Sequence, residues 1–291
     1  MTIRHITKIL LMSLGMLLVI ILIYGHFVGT HKFRVHFQNI YFSDLPQAFD
    51  GYRILQLSDL HSGTFRDGDE KYLDEVITMA QQQNCDIILF TGDLINRQSS
   101  ELDGLAIYYS RLQAPDGVYS VLGNHDYCTY AHFKTSRERN NDLTRLIKYQ
   151  NQFGWNLLRN QNVIIRRGND SIALLGVENW SEEPFPQYGD LRKASSGVKN
   201  DAFSILLSHD PTHWRKQIVS NTNIQLTLSG HTHGGQFKVF GWSPCSWKYD
   251  DWTGTHVEGS QVLNISEGIG AFIPFRFGAW PEMNVITLRR E

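Results

Sequence analysis

Five short apolar runs in this chain stop abruptly at His, Asp or Asn. They read LQLSDLH (55–61), ILFTGDL (88–94), SVLGNHD (120–126), ILLSHDP (205–211) and LTLSGHTHGG (226–235). Runs of this length, bounded by polar and turn residues, read as buried strands. In open α/β sheets the functional residues gather where strands give way to loops at their carboxyl ends. Five endings of the same chemical type in one chain therefore predict an α/β fold with a single site along one edge of its sheets.

The rest of the chain fits that frame. From Arg34 the segment VHFQNIYF alternates apolar and polar residues, as a half-buried strand does. Helical patterns are expected over 69–83, 102–112 and about 141–153. Residues 162–166 and 171–177 form a predicted hairpin turning at Gly168-Asn169-Asp170, and further strands are expected at 261–265 and 283–288. Hydrophobic residues at 42% against 19% charged exclude wholesale disorder. A formal charge of -2 gives no whole-chain attraction to nucleic acid, and no nucleic-acid partner is indicated. Three cysteines, Cys85, Cys128 and Cys245, are too few and scattered for a disulfide scaffold or a zinc ribbon.

The first thirty residues stand apart. Ile9–Gly25 is an uncharged apolar run close to the roughly 20 residues needed to cross a bilayer. A cleavable signal peptide and a buried helix share parts of that pattern. GHFVGTH offers no good small-x-small cleavage site, and the run exceeds a usual signal core, so an uncleaved single-pass anchor is expected. Residues 1–30 are then the anchor and 31–291 one α/β domain. Arg4 and Lys8 balance Lys32 and Arg34, so the positive-inside rule does not orient it.

The strand endings supply an N/O ligand set: Asp59, His61, Asp93, Asn124, His209, His231 and His233. Asp59 and His61 lie two apart, as do His231 and His233, and an extended backbone would point each pair the same way. Glycines precede Asp93, Asn124 and His231, and Gly92 would let a metal and a substrate approach the backbone. Mixed imidazole, carboxylate and amide donors suit Mn²⁺, Fe²⁺ or Zn²⁺ better than a pure oxygen cage for Ca²⁺. The set is too large for one tetrahedral ion and right for two ions sharing a carboxylate.

The ordered motifs SDLH, TGD, GNHD, LSHDP and SGHTHGGQ resemble the calcineurin-like metallophosphoesterase family. The closing stretch ISEGIGAFIPFRFGAWPEMNVITL is similar to its membrane-associated bacterial branch of phosphodiesterases and lipid-precursor pyrophosphatases. The resemblance runs from about residue 51 to 288. It implies a four-layer α/β/β/α sandwich behind an N-terminal transmembrane helix, with two divalent metal ions (Mn, Fe or Zn) as cofactors. By position, Asp59, His61, Asp93 and His233 would hold one ion, and Asp93, Asn124, His209 and His231 the other. His125 would be the catalytic histidine that is not a ligand, acting beside a metal-bridging hydroxide. Such a centre carries a net charge of roughly +1, attractive to phosphate. Asp126 would either orient the His125 imidazole or cap the next helix.

The family often has an acidic residue at the position of Asn96. Arg97 falls where related protein phosphatases bind phosphate, but Gln98, Leu122 and GNHD depart from their pattern and argue against that activity. Aromatics crowd the stretch after the HTH motif: Phe237, Phe240, Trp242, Trp247, Tyr249 and Trp252, then Phe272, Phe275, Phe277 and Trp280. They would form either an interfacial surface or a small satellite core. Arg276 would meet a substrate phosphate or pair with an acid, and Cys128 would be an apolar filler or a redox-sensitive neighbour. The expected activity is a membrane-anchored phosphodiesterase or pyrophosphatase on a phosphorylated small molecule or a lipid-linked substrate such as UDP-2,3-diacylglucosamine. A broad-specificity phosphomonoesterase and a metal-bound, catalytically idle membrane module are the alternatives.

Overall fold

The structure is a computed structural model that describes residues 3–291. Two six-stranded sheets face one another. The first contains β1 (Arg34–Phe42), β2 (Arg53–Leu57), β3 (Ile87–Phe90), β4 (Val118–Ser120), β5 (Asn156–Leu157) and β12 (Glu282–Arg290), in the order β1-β12-β2-β3-β4-β5. The second contains β6 (Gln161–Arg167), β7 (Asp170–Gly176), β8 (Ser204–Leu207), β9 (Leu226–Ser229), β10 (Gly254–Glu258) and β11 (Gln261–Ile265), in the order β10-β11-β9-β8-β7-β6. The inner strands β2, β3 and β4 run parallel, as do β7, β8 and β9.

Strand alternation divides the apolar residues between layers. Ile54, Ile87 and Leu89 of the first sheet meet Ile205, Leu207, Leu226 and Leu228 of the second in one core. The intervening residues Leu55, Leu57, Ile88 and Phe90 turn outward onto α2 (Glu70–Gln82) through Leu73, Val76, Ile77 and Ala80. Beyond the second sheet, Ala173, Leu175 and Leu206 pack on Trp214, Ile218 and Ala194. The result is the α/β/β/α layering, with period-two burial on each strand as its cause.

Two helical expectations are redrawn. The 102–112 pattern is broken: Asp103 is extended and Gly104 left-handed, leaving α3 as Ala106–Tyr109. The 141–153 helix begins a turn earlier, as α4 (Ser136–Gln152), because Thr135 accepts the Glu138 N–H while the Glu138 carboxylate accepts the Lys134 N–H. A short α5 (Leu191–Ala194) and the strands β5 and β10 escape the sequence pattern. At the N-terminus, α1 (Ile3–Phe27) is long and apolar enough to cross a bilayer. Its side chains are exposed through Ile20; Ile21 and Tyr24 are half-buried, and Gly25 is buried against the domain.

Candidate metal centre

The carboxyl ends of β2, β3, β4, β8 and β9 converge, bringing all seven candidate ligands and His125 into one buried cluster. Asp59, His61 and His233 group within ligand distance, as do Asp93, His209 and His231; His125 falls within the same reach of His61 and Asp93. His233 Nε2 lies 3.1 Å from His61 Nε2 and 3.3 Å from Asp59 Oδ1. His209 Nε2 lies 3.1 Å from Asp93 Oδ2, and His61 Nε2 3.8 Å from the same oxygen. His231 Nδ1 faces Asn124 Oδ1 at 2.7 Å.

The backbone geometry differs from the sequence expectation. Asp59, His61, Asp93, His231 and His233 all adopt left-handed φ, between 43° and 72°. The paired side chains are thus aimed by tight turns, not by extended chain. A non-glycine residue in that region costs roughly 1–2 kcal/mol, and such strain persists where surrounding structure over-determines it. The glycines show how. A Cβ on Gly92 would lie 2.6 Å from the Gly123 nitrogen and 2.8 Å from His209 Nδ1, and one on Gly230 would lie 1.9 Å from Ser58 Oγ. The space that Gly92 leaves is filled by the neighbouring loop; it does not admit a metal.

Asp126 neither orients His125 nor caps a helix. Its buried carboxylate accepts the backbone N–H groups of Asp93, Leu94 and Gly123 at 2.9 Å and Ile95 at 3.2 Å, setting the loop that carries Asp93. His125 is fixed by other groups. Its Nδ1–H donates to the Asn96 carbonyl at 2.6 Å, and its backbone N–H donates to Asp93 Oδ1 at 2.9 Å. Its ring stacks on Tyr130 at 4.1 Å and meets Phe272 at 5.0 Å. A cleft of about 380 Å³, lined in part by Arg66, Asn96, Arg97 and Phe272, adjoins it. Arg97 lies 5.9 Å over the Phe272 ring.

Burial dominates the electrostatics of the imidazoles. It pushes His61 down to about 3 and His231 to about 4, and holds His233 well below its usual value. Their lone pairs are therefore free at neutral pH. His209 goes the other way: burial disfavours its charge, but the Asp93 carboxylate outweighs that and holds it up at about 10. For Asp93, burial is likewise overcome, by His209 and His125, and its carboxyl sits well below the ordinary range. Without a cation between them, a proton on His209 balances Asp93.

Several partners have no local signal in the sequence. Arg276 is fully buried, and among the described residues its hydrogen bonds run to carbonyls and to an imidazole. It donates to the carbonyls of Glu267, Gly270 and Ala279 and, at 3.0 Å, to His233 Nδ1. The Tyr249 hydroxyl lies within hydrogen-bond reach of His231 Nε2 at 2.9 Å, with Asp210 Oδ2 at 3.3 Å from the same nitrogen. Thr91 fixes His209 by accepting its Nδ1–H at 2.8 Å. Cys128 is a fully buried filler whose thiol burial pushes far above the usual range, which removes it as a redox neighbour.

The donors fit a pair of divalent cations. His209 Nε2, which faces Asp93, is buried without a hydrogen-bond partner, and buried polar atoms are rarely left so. For His209 Nε2, a cation shared with Asp93 supplies what a misaligned hydrogen bond does not. The calcineurin-like phosphoesterase profile matches residues 52–235, from the start of β2 through the HTH motif. This chain belongs to the calcineurin-like phosphoesterases. The transmembrane protein with metallophosphoesterase domain of Danio rerio is 30% identical over 198 residues, covering 66% of this chain and 42% of that protein. The uncharacterized metallophosphoesterase YkuE of Bacillus subtilis is 29% identical over 277 residues, covering 91% and 89%. The chain thus spans less than half of the zebrafish relative and most of the bacterial one. The NAD nucleotidase of Haemophilus influenzae superposes over 76% of this chain and 46% of its own, with 14% identity and a TM-score of 0.49. Calcineurin-like phosphoesterases are metal-dependent phosphoester hydrolases with dinuclear divalent centres, and the His and Asp clusters here suit such a pair.

Proposed function

We propose that this calcineurin-like phosphoesterase is a membrane-anchored phosphodiesterase or pyrophosphatase. In this reading Asp59, His61, Asp93 and His233 hold one divalent cation, and Asp93, Asn124, His209 and His231 hold the second, with Asp93 common to both. Bound there, the cations supply Lewis acidity and a nucleophile at neutral pH. The chain's own residues do the rest. The Asn96 carbonyl fixes the His125 ring by accepting from Nδ1–H, so Nε2 is the nitrogen left to carry a proton to the leaving oxygen. Tyr130 and Phe272 wall that ring and keep water from one side of it. Arg276, which burial lowers only to about 10, stays cationic and steadies His233 from behind.

The observation that carries this reading is the seating of His125. It is held at two points, on Asp93 and Asn96, within ligand distance of His61 and Asp93. Asn96 stands where the family often has an acid, and contributes its backbone carbonyl to the His125 ring instead. The apolar helix α1 supports a single-pass anchor. Within the substrate class, a nucleotide-diphosphate lipid such as UDP-2,3-diacylglucosamine is the lipid-linked candidate. The test compares the Mn²⁺-loaded full chain on bis-p-nitrophenyl phosphate, p-nitrophenyl phosphate and that lipid. The diester or pyrophosphate is expected to turn over faster, and Asp93→Ala to abolish it. A faster monoester overturns this reading in favour of the phosphomonoesterase.

A further inference from the structure

The last turn of α1 does not hang free of the catalytic domain. Arg276 donates its backbone N–H to the Gly25 carbonyl at 3.0 Å, and His26 Nδ1 contacts the Pro274 carbonyl at 2.7 Å. A Cβ on Gly25 would lie 2.2 Å from the Phe275 ring, and one on Gly29 would lie 1.8 Å from the Arg276 carbonyl oxygen. Tyr24 meets Phe277 and Trp280 edge-on at 6.2 and 6.0 Å. No lipid fits between helix and loop at this seam.

That contact fixes a depth. Tyr24 and Gly25 belong to the apolar run itself, and at 1.5 Å of rise per residue they lie only about 3–5 Å inside the end of α1. If the run crosses a bilayer, the loop over 272–280 sits at the boundary between headgroups and acyl chains. The loop continues into the segment after the HTH motif: Phe237 stacks on Phe277 at 5.9 Å, and Lys238 donates its N–H to the Phe277 carbonyl. From this joined lobe Phe240 projects fully into the surroundings, Trp247 is 80% exposed and Ile273 60%. Lys32 and Arg34 lie over the Trp280 ring at 4.5 and 5.3 Å, the arrangement of an interfacial aromatic beside cationic anchors. Contiguous exposed apolar residues mark a binding surface. Here the surface is continuous with a helix whose own occupant is lipid.

The opposite end of the lobe touches the cluster. Phe272 meets His125, Tyr249 meets His231 and Arg276 meets His233. We propose that the lobe of residues 237–249 and 272–280 seats in the headgroup layer of the bilayer that α1 spans, so that the cluster opens beside the membrane surface and admits lipid headgroups, where water adds to one phosphorus of a P–O–P link, the bridging P–O bond breaks, and a nucleoside monophosphate leaves a phosphate on the lipid. This deepens the proposed phosphodiesterase reading and rests on it for the substrate, but not for the seat.

The test uses the full chain with Cys245→Ser, reconstituted in phosphatidylcholine–phosphatidylglycerol vesicles. Nitroxide labels are placed through Phe240→Cys, Trp247→Cys and Ile273→Cys, with Ile107→Cys on the exposed face of α3 as the aqueous control. Oxygen accessibility is expected to exceed that of a nickel chelate several-fold at the three lobe positions, and the order to reverse at 107. Equal access by the nickel chelate at all four positions overturns the seat, and so does exclusion of both probes at the lobe, which would mark contact with a second protein copy. A parallel assay follows a diacylglycerol bearing a nucleoside diphosphate headgroup in the same vesicles. Phe240→Ser combined with Trp247→Ser is expected to lower its turnover at least tenfold and to leave soluble bis-p-nitrophenyl phosphate within twofold. Equal loss on both substrates, or on neither, overturns the lipid source. Failure of the unsubstituted chain on every phosphoester sinks the phosphodiesterase reading alone, because the label depths do not depend on turnover.

Discussion

On the sheet side of the cluster, every candidate ligand lies within a few residues of a strand end, buried, and in five of the seven cases held at left-handed φ. On the facing side the wall is built from long connections, 237–249 and 272–280, whose large rings are partly packed and partly exposed. The first side is over-determined: glycines let adjacent loops interlock, and Asp126 collects four backbone donors. The second is held by the hydrogen bonds of Arg276 and Gln236, by stacked rings and by the end of α1. Rigid turns can place cations to within tenths of an ångström. An aromatic lobe can instead decide which substrates reach them and from which direction.

The largest expected effect separates chemistry from ligation on the sheet side. His125→Ala should lower kcat on a phosphodiester by about 10²–10⁴ while the Mn²⁺ content, read by elemental analysis, stays at the unsubstituted level. Loss of metal in that variant would make His125 a ligand and break the division of roles. Next is an acid sensitivity behind β8. Burial, the leading cause, pushes His213 down to about 4, while its ring contacts Ser208 Oγ and Gln217 Oε1 and stacks on Trp180. The folded value lies below the unfolded one, so the neutral form is the stable form. Its contribution is complete above about pH 6.5 and is lost as pH falls toward 4, on the order of 3 kcal/mol in all. Denaturant unfolding at pH 7 and 4.5 should show a smaller drop for His213→Gln than for the unsubstituted chain.

Asp126→Asn sharpens the idea of interlocked loops. Its amide cannot accept from all four N–H groups, which should cost about 1–3 kcal/mol in thermal unfolding and weaken Mn²⁺ binding about 10–100-fold. Unchanged metal affinity would mean that the Asp93 loop holds itself. The smallest effect is expected on the lobe side. Gly25→Val drives a side chain into Phe275 and should cost about 1–3 kcal/mol, read as a lower Tm of the full chain in detergent with its metal content intact. An unaltered Tm would show that α1 does not brace the lobe.

The sequence made the candidate site legible because each candidate ligand lies just past a strand end, so motif and position are one local signal. Asp59, His61, Asp93, Asn124, His125, His209, His231 and His233 all come together in space. What failed was the local geometry: alternation in a strand says nothing about left-handed turns one residue beyond it. The role of Asp126 was equally hidden, since its partners other than Gly123 are backbone groups some thirty residues away. Tyr249 and Arg276 reach the histidines across 18 and 43 residues with no motif of their own. The α1 seam spans 248 positions between His26 and Pro274. The four-layer order followed from burial patterns, but the 102–112 helix did not survive a single extended residue before Gly104.

Gly25 and Gly29 stand four apart, and both are filled from outside by the 275–276 backbone and ring. Small residues at that spacing are the means by which a membrane helix admits a close neighbour. Here the neighbour is the catalytic domain of the same chain. The segment is therefore not an interchangeable part: a foreign apolar helix of equal length and hydropathy, but with bulky residues at Gly25 and, in the turn just beyond the helix, at Gly29, could not dock against the domain.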